Sequence, residues 1–378
     1  MTEPAFPMPR RCPLDPPAEL GQIRETGITR VRLWDGSTPW LVTTYADVRA
    51  VLADRRFSSD PSRPGFPASR PHAGKARSFI RMDGADHARQ RKALISDFTV
   101  RRVEALRPLI VETVNRLLDA MDRRPVDLVT AYALPLPSLV ICHLLGVPYS
   151  DHEFFQRTSR EMLSGSGDSR RELVGYLAAL VTKKQAEPAD DLISKLVGND
   201  ALSRRDVVSM SVLLLIAGHE TTANMIALGT LTLLQNPSQA AELRDGADPA
   251  TAVEELLRLL TIVHLGRRRV ATEDIRVGEV LIRAGEGVIA AADAANRDPS
   301  VFENADSLDI HRRPNHHVTF GFGVHQCLGQ PLARLELQIA YPALLRRFPT
   351  LRLAASVDEL TFRTTMPVYG VDALPVTW

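Results

Sequence analysis

The sequence predicts a mainly α protein with a small β portion. Two observations carry this. Apolar residues recur at helical spacing over long stretches, the longest being residues 206–235. Alternation of period two, the mark of a half-buried strand, is confined to residues 28–45 and 262–290. The length of 378 residues would allow two or three domains. No repeat, linker or shift of composition divides the chain, so a single domain over residues 1–378 is expected.

In chain order, residues 1–20 are Pro-rich and read as irregular. Residues 28–45 form a hairpin turning at Trp34-Asp35-Gly36-Ser37, and residues 46–53 a short helix. Residues 58–74 are dense in Pro, Ser and Gly without a period. A loop that long in a compact chain is functional or mobile. Residues 86–118 are helical with a break near Phe98 and Thr99. Residues 133–145 are apolar nearly all round and should be buried. A Gly/Ser tract at 164–169 separates two helical segments. Residues 206–235 and 252–260 follow as helices. The strands of 262–290 turn at Gly278, Gly285 and Gly287, and residues 291–316 read as irregular and polar.

Lys and Arg number 46 against 45 Asp and Glu, for a net charge of +1. Nothing here calls for nucleic acid, and there is no polybasic tail. Cys12, Cys142 and Cys327 are an odd, sparse set that suits a reducing cytosol. The N-terminus lacks the apolar run of a signal peptide or anchor. The most apolar stretch, 212–234, is interrupted by His219, Glu220, Thr221, Thr222 and Asn224, too polar for a span. A cytoplasmic protein without membrane or nucleic-acid binding is expected.

Residues 316–336 read HHVTFGFGVHQCLGQPLARLE. Gly321 and Gly323 let the backbone turn tightly and approach a partner closely. Behind Cys327 come Gly329 and Pro331, then Leu332, Leu335 and Ile339 at helical spacing. Cys327 is therefore expected just ahead of a helix N-terminus. Unpaired N–H groups and the positive end of the helix dipole favour a thiolate there, which is a nucleophile or a metal ligand. Two plainer readings compete. A lone Cys in an apolar region is most often a small buried hydrophobe. A zinc site with His316, His317 and His325 would lack an accompanying CxxC pair.

The spacing as a whole separates these readings. Phe320, Gly323, Cys327 and Gly329 follow F-x-x-G-x-x-x-C-x-G, with His325 two before the Cys. This resembles the haem-binding loop of the cytochrome P-450 family. The resemblance implies the cytochrome P-450 fold around a buried haem b (iron protoporphyrin IX). It makes Cys327 the proximal thiolate of the iron, a ligand that favours O–O cleavage. It sets Phe320 and Gly321 against the haem.

The same resemblance extends to other stretches. Ala217-Gly218-His219-Glu220-Thr221-Thr222 suggests the zinc motif HExxH, but position 223 is Ala. A bland reading makes Glu220 a buried polar group and has the threonines bond back to their own helix. The stretch resembles the family's oxygen-activating helix. That implies that Glu220 and Thr221 form an acid–alcohol pair supplying protons to reduced O₂, with Ala217 and Gly218 leaving room. Glu255 and Arg258 alone are a common helix-surface pair. In the family such a pair joins an Arg ahead of the Cys loop, here Arg312, as a structural triad. His87 and Arg91, four apart, project from one helix face and could grip a carboxylate. The resemblance assigns His87, Arg91, Arg269 and His325 to the haem propionates, whose charge is expensive to bury alone.

The resemblance covers residues 79–86, 96–108, 216–236, 253–295 and 317–337, and residues 369–378 resemble the 105 family of soluble actinobacterial members. Two departures are visible. Ala305 stands where a Pro is usual, which should loosen the segment before the Cys loop. The chain looks shortened around 164–205, in the lid over the substrate. The implied activity is a haem-thiolate monooxygenase, inserting one atom of O₂ into a small or medium organic substrate. No flavin or iron–sulfur pattern is present, so a ferredoxin and ferredoxin reductase are implied, with the enzyme a monomer. Alternatives are a peroxygenase or dehydratase with the same haem, or a non-catalytic haem-binding protein. Substrate-contact candidates are the 58–74 loop on to Arg81, Leu213, Ala217, Val263-His264-Leu265 and Thr365-Met366. Arg63, Arg70, Lys75 and Arg77 in or beside that loop raise the idea of an anionic substrate, against a plain solvated loop.

Overall fold

The computed structural model of the protein describes residues 3–69, 78–164 and 168–378. Arg70, Lys75, Arg77 and part of the Gly/Ser tract therefore lie outside the described residues. The chain forms two compact units, Met1–Ala88 with Glu254–Cys327 and Arg89–Val253 with Leu328–Trp378.

The first unit is built on five short strands. Their order is Thr29–Arg30, Trp40–Val42, Gly287–Ala290, Arg267–Ala271, Phe57–Ser58. The expected hairpin forms, with Thr29 opposite Leu41. Trp40 then pairs in parallel with Val288, while Arg267 lies antiparallel opposite Ala290. Successive side chains of a strand point to opposite faces. Accordingly Val42, Val288 and Ala290 join one apolar cluster with Val51, Phe57 and Phe302. Leu41 and Ile289 join another with Leu20, Val31 and Leu33. The sheet is thus covered on both faces. Helix Tyr45–Ala53 supplies Val48, Val51 and Leu52, and starts where the Thr44 side chain accepts from Asp47 N–H.

The second unit surrounds one long helix, Arg204–Leu234. Ser203 and Asp206 open it with a reciprocal capping box. It packs against helices Pro135–Leu145, Ser169–Ala186 and Gln330–Arg347. Among the described residues it is the one helix long and apolar enough to cross a membrane, and 78% of its apolar window is buried inside the protein. Gly218 explains how close one neighbour comes. A Cβ there would lie 2.7 Å from Cδ1 of Ile141, so only glycine admits the contact.

The break expected near Phe98 is a 3₁₀ turn, Ser96–Phe98, after which the Thr99 side chain caps Val100–Glu104. Helix Ala18–Thr26 runs on from the Pro-rich start, and only Leu20 of it is buried. One buried residue leaves no stripe to read. Ala292–Ala295 is a short helix in a segment expected to be irregular. All four of its residues are buried, so no amphipathic pattern marks it.

Candidate active site

Cys327 ends a tight loop in the first unit. Gly321 and Gly323 take φ of 76° and 73°, the left-handed region that glycine enters without strain. A Cβ on Gly323 would also lie 2.5 Å from the carbonyl oxygen of Leu52. These turns let Cys327 N–H donate to Phe320 O at 2.8 Å and Gln326 N–H donate to Gly323 O at 3.0 Å. Helix Gln330–Arg347 begins three residues after Cys327, with Pro331 in its first turn. The expected position at a helix N-terminus is thus found. Cys327 is exposed, whereas Cys142 is buried and its thiol is pushed up to about 12 by burial. The buried-hydrophobe reading fits Cys142 and not Cys327. No group of three His, Cys, Asp or Glu side chains that could hold a metal occurs among the described residues. The zinc reading has no donor set to rest on.

Basic groups gather beside this loop. The rings of His87 and His325 lie 4.2 Å apart, centre to centre. Nε2 of His325 meets Ser59 Oγ at 3.1 Å and Asp83 Oδ1 at 3.5 Å. Asp83 also accepts from the Ser59 N–H at 3.1 Å and from Ser58 Oγ. Burial would raise the Asp83 carboxyl, but His325, Ser58 and Ser59 outweigh it and hold it far below the usual range. Arg269 is buried in strand Arg267–Ala271, and its Nη1 donates to Arg268 O at 2.8 Å. Burial, and then the like charge of Arg267, pull it down to about 10. Arg267, two residues away and so on the same strand face, gives Nη2 to Thr319 O at 2.5 Å. Burial lowers it too, while Cys327 and Asp293 favour its charge. Arg91 follows His87 by four residues on helix Gly84–Ile95.

The Glu255 triad forms as expected. Arg258 binds Glu255 through two hydrogen bonds, and Arg312 Nε donates to Glu255 Oε2 at 3.0 Å. Asn315 and the N–H of Asp309 add two more donors to the same carboxylate. Arg258 Nη1 also reaches Asn296 O and Ala305 O, each at 2.7 Å. Ala305 is buried and held by that bond, so the segment before the Cys loop is anchored without proline there.

In the second unit, the long helix carries Ala217, Glu220 and Thr221. Ala217 is exposed in the middle of a helix that is buried over most of its length. Thr221 Oγ1 donates to Ala217 O at 2.7 Å. Glu220 is buried. Its Oε1 lies 3.6 Å from His219 Nε2 and its Oε2 3.8 Å from Arg363 Nη1. Burial opposes its charge, but His219, Arg363 and Arg160 together hold the carboxyl below its ordinary value. His219 Nδ1 donates to Leu215 O at 2.6 Å.

The residues beside the Cys327 loop in the first unit fit a bound haem. Nδ1 of His325 and Nη1 of Arg267 are buried nitrogens with no hydrogen-bond partner in the protein. Arg267 Nη1 is a donor in every state and calls for an acceptor, and His325 Nδ1 becomes one when the ring is protonated; two propionates supply such acceptors. The sequence reading missed Arg267: the resemblance assigned Arg269 alone of the three arginines, although on strand Arg267–Ala271 the period of two puts Arg267 on the same face. It also missed Arg363, which no local motif connects to Glu220.

Comparison with known proteins agrees. The family described as cytochrome P-450 matches residues 250–366. Cytochrome P-450-SU2 of Streptomyces griseolus is 52% identical over 394 residues, covering 100% of this chain and 97% of its own. Pentalenic acid synthase of Streptomyces avermitilis is 50% identical over 404 residues, covering 100% of both. The crystal structure of cytochrome P-450 MoxA from Nonomuraea recticatena, of the 105 family, superposes with a TM-score of 0.92 at 46% identity. It covers 99% of this chain and 98% of MoxA. Relatives this similar over nearly the whole of both chains show that the chain belongs to the cytochrome P-450 family, as a haem-thiolate monooxygenase that uses haem b and O₂.

Proposed function

We propose that the chain works as one haem-thiolate domain that hydroxylates a small or medium organic molecule, of the secondary-metabolite, sterol-like or xenobiotic kind. Cys327 would bind the haem iron through its thiolate. His87, Arg91, Arg269 and His325, with Arg267, would hold the propionates, and Phe320, Gly321 and Ala217 would serve as further haem-binding residues. Bound haem b supplies the activation of O₂, in which one atom enters the substrate and the other leaves as water, consuming two electrons and two protons. The protein's own task is to deliver those protons. Thr221 holds one at Oγ1, close to the exposed Ala217, and Glu220 resupplies it. The observation that carries the reading is the exposed Cys327 beside buried nitrogens of Arg267 and His325 that have no hydrogen-bond partner.

Two electrons must arrive singly, and a separate ferredoxin with its reductase delivers them. Lys92, Arg101 and Arg102 are exposed and suit an acidic partner, whereas Arg89 is already paired with Asp206 at 3.0 Å. The enzyme acts as a soluble cytoplasmic monomer. The name pentalenic acid synthase supports a secondary-metabolite substrate.

The absorption spectrum of the reduced, CO-bound protein tests the assignment. A strongly red-shifted Soret band is expected for the parent and should vanish in Cys327→Ser. Retention of that band in the variant would remove Cys327 as the ligand. Turnover driven by peroxide alone, with no response to reduced ferredoxin, would favour a peroxygenase instead.

A further inference from the structure

The carboxylate of Glu220 is met from the C-terminal segment of its own unit. Arg363 lies 3.8 Å from it, Nη1 to Oε2, and donates its Nε to Asp372 Oδ1 at 2.8 Å. The side chains of Glu220 and Arg363 are 4% and 7% exposed, that of Asp372 54%. One guanidinium therefore spans a buried carboxylate and a solvent-facing one. The segment that carries it is well tied. Arg363 N–H donates to Gly370 O at 2.8 Å, Phe362 pairs with Val371, and Phe362 stacks on Tyr369. Gly370 packs so tightly that a Cβ would come within 1.6 Å of Asn224 Oδ1. Asn224 in turn donates Nδ2 to Glu220 O at 2.6 Å.

Three groups that can carry positive charge face Glu220. They are His219 on its own helix, Arg363, and Arg160 of helix His152–Ser164. His219 attracts a carboxylate only while protonated, whereas a guanidinium is charged at every working pH. Arg363 is therefore the permanent charge within 4 Å, and its other contact gives the solvent a hold on it.

We propose that Arg363 is a positioning residue for Glu220, its charge divided between that buried carboxylate and Asp372, so that the C-terminal segment controls how readily Glu220 takes up a proton. The inference rests on the reading of Glu220 as a proton carrier. It predicts two changes of opposite sign. Removing the charge of Arg363 makes Glu220 hold its proton more tightly. Removing the charge of Asp372 leaves the whole guanidinium to Glu220 and makes it hold its proton less tightly. A purely structural role for the pair predicts lower stability in both variants and no change in the titration.

The test is an infrared pH titration of the haem-loaded, full-length enzyme, with Glu220→Gln subtracted to isolate the Glu220 carboxyl band. Arg363→Gln should raise its proton affinity about 10- to 1000-fold, the effect of losing a close opposite charge. Arg363→Lys should restore most of the parent behaviour, and Asp372→Asn should lower the affinity. One common titration in all these proteins overturns the proposal. Should Arg363→Gln fail to fold, Asp372→Asn still decides, since it alters only the exposed carboxylate. An unchanged or raised affinity there overturns the proposal. If Glu220→Gln instead turns over like the parent, the proton-carrier reading fails, and the infrared shifts still report whether Arg363 governs the carboxyl.

Discussion

Arg258 grips both oxygens of Glu255, Nε to Oε2 at 2.7 Å and Nη2 to Oε1 at 2.8 Å, and neither side chain is exposed at all. A pair like this offsets its desolvation cost only while both members are present. Glu255→Ala leaves the charge of Arg258 buried and uncompensated. The expected loss is about 3–5 kcal/mol, with little haem-loaded protein recovered. Haem content per chain and melting temperature measure it. Parent-like values for both would reduce the pair to a surface contact.

Thr221→Ala separates an oxygenase from other uses of a thiolate haem. Haem binding should persist, because the proposed ligand is Cys327. With a substrate found by spectral titration, product per electron pair should fall and hydrogen peroxide should rise to match. A positioned proton donor is worth about 10²–10⁴-fold in its step. Glu220→Gln should slow turnover as a whole. If Thr221 does no more than bond to Ala217 O, as in the structure, coupling stays at the parent level and the assigned role is wrong.

Glu336 is buried in helix Gln330–Arg347, and its Oε2 has no hydrogen-bond partner. Burial raises its carboxyl well above the ordinary 4.5. The folded protein therefore binds a proton that the unfolded chain releases above that pH. Stability on this account falls as pH rises from 4.5 toward the folded value. Glu336→Gln, the shape of the protonated acid, should be more stable than the parent above that pH. The gain should grow by about 1.4 kcal/mol per pH unit until the folded value is reached. Denaturant titrations across pH read this directly, and a gap independent of pH would refute it.

Electron delivery should depend on salt. Charges that steer a partner from a distance are screened as ionic strength rises. Binding of an acidic ferredoxin should weaken with added salt, and Lys92→Glu or Arg101→Glu should weaken it at low salt. Affinity indifferent to both changes would exclude these residues from docking.

Much of this was readable in the sequence because motif and element coincide. Cys327 sits between glycines that the loop needs and a helix that Pro331 opens, so spacing alone located it. The long helix announced itself by apolar residues at helical spacing over 206–235, and the structure starts it two residues earlier, at Arg204 behind the Ser203 cap. Other features have no local signature. Arg363 meets Glu220 only because tertiary packing brings residues 143 apart together, as the close fit of Gly370 on Asn224 shows. Ala292–Ala295 hides because a helix buried all round has no polar face to give it a period.

The first unit is written in two instalments, Met1–Ala88 and Glu254–Cys327, and the second in two others. On a ribosome, strand Trp40–Val42 emerges early yet has no parallel neighbour until Val288 is made. The hairpin and helix Tyr45–Ala53 must wait meanwhile with Val48, Val51 and Leu52 unburied. Closing so long a loop is slow, and apolar surface left open in the interval invites aggregation. Synthesis rate and chaperone supply should therefore set the yield of this protein more than its final stability does. A nascent chain halted before residue 287 should be captured by chaperones rather than fold.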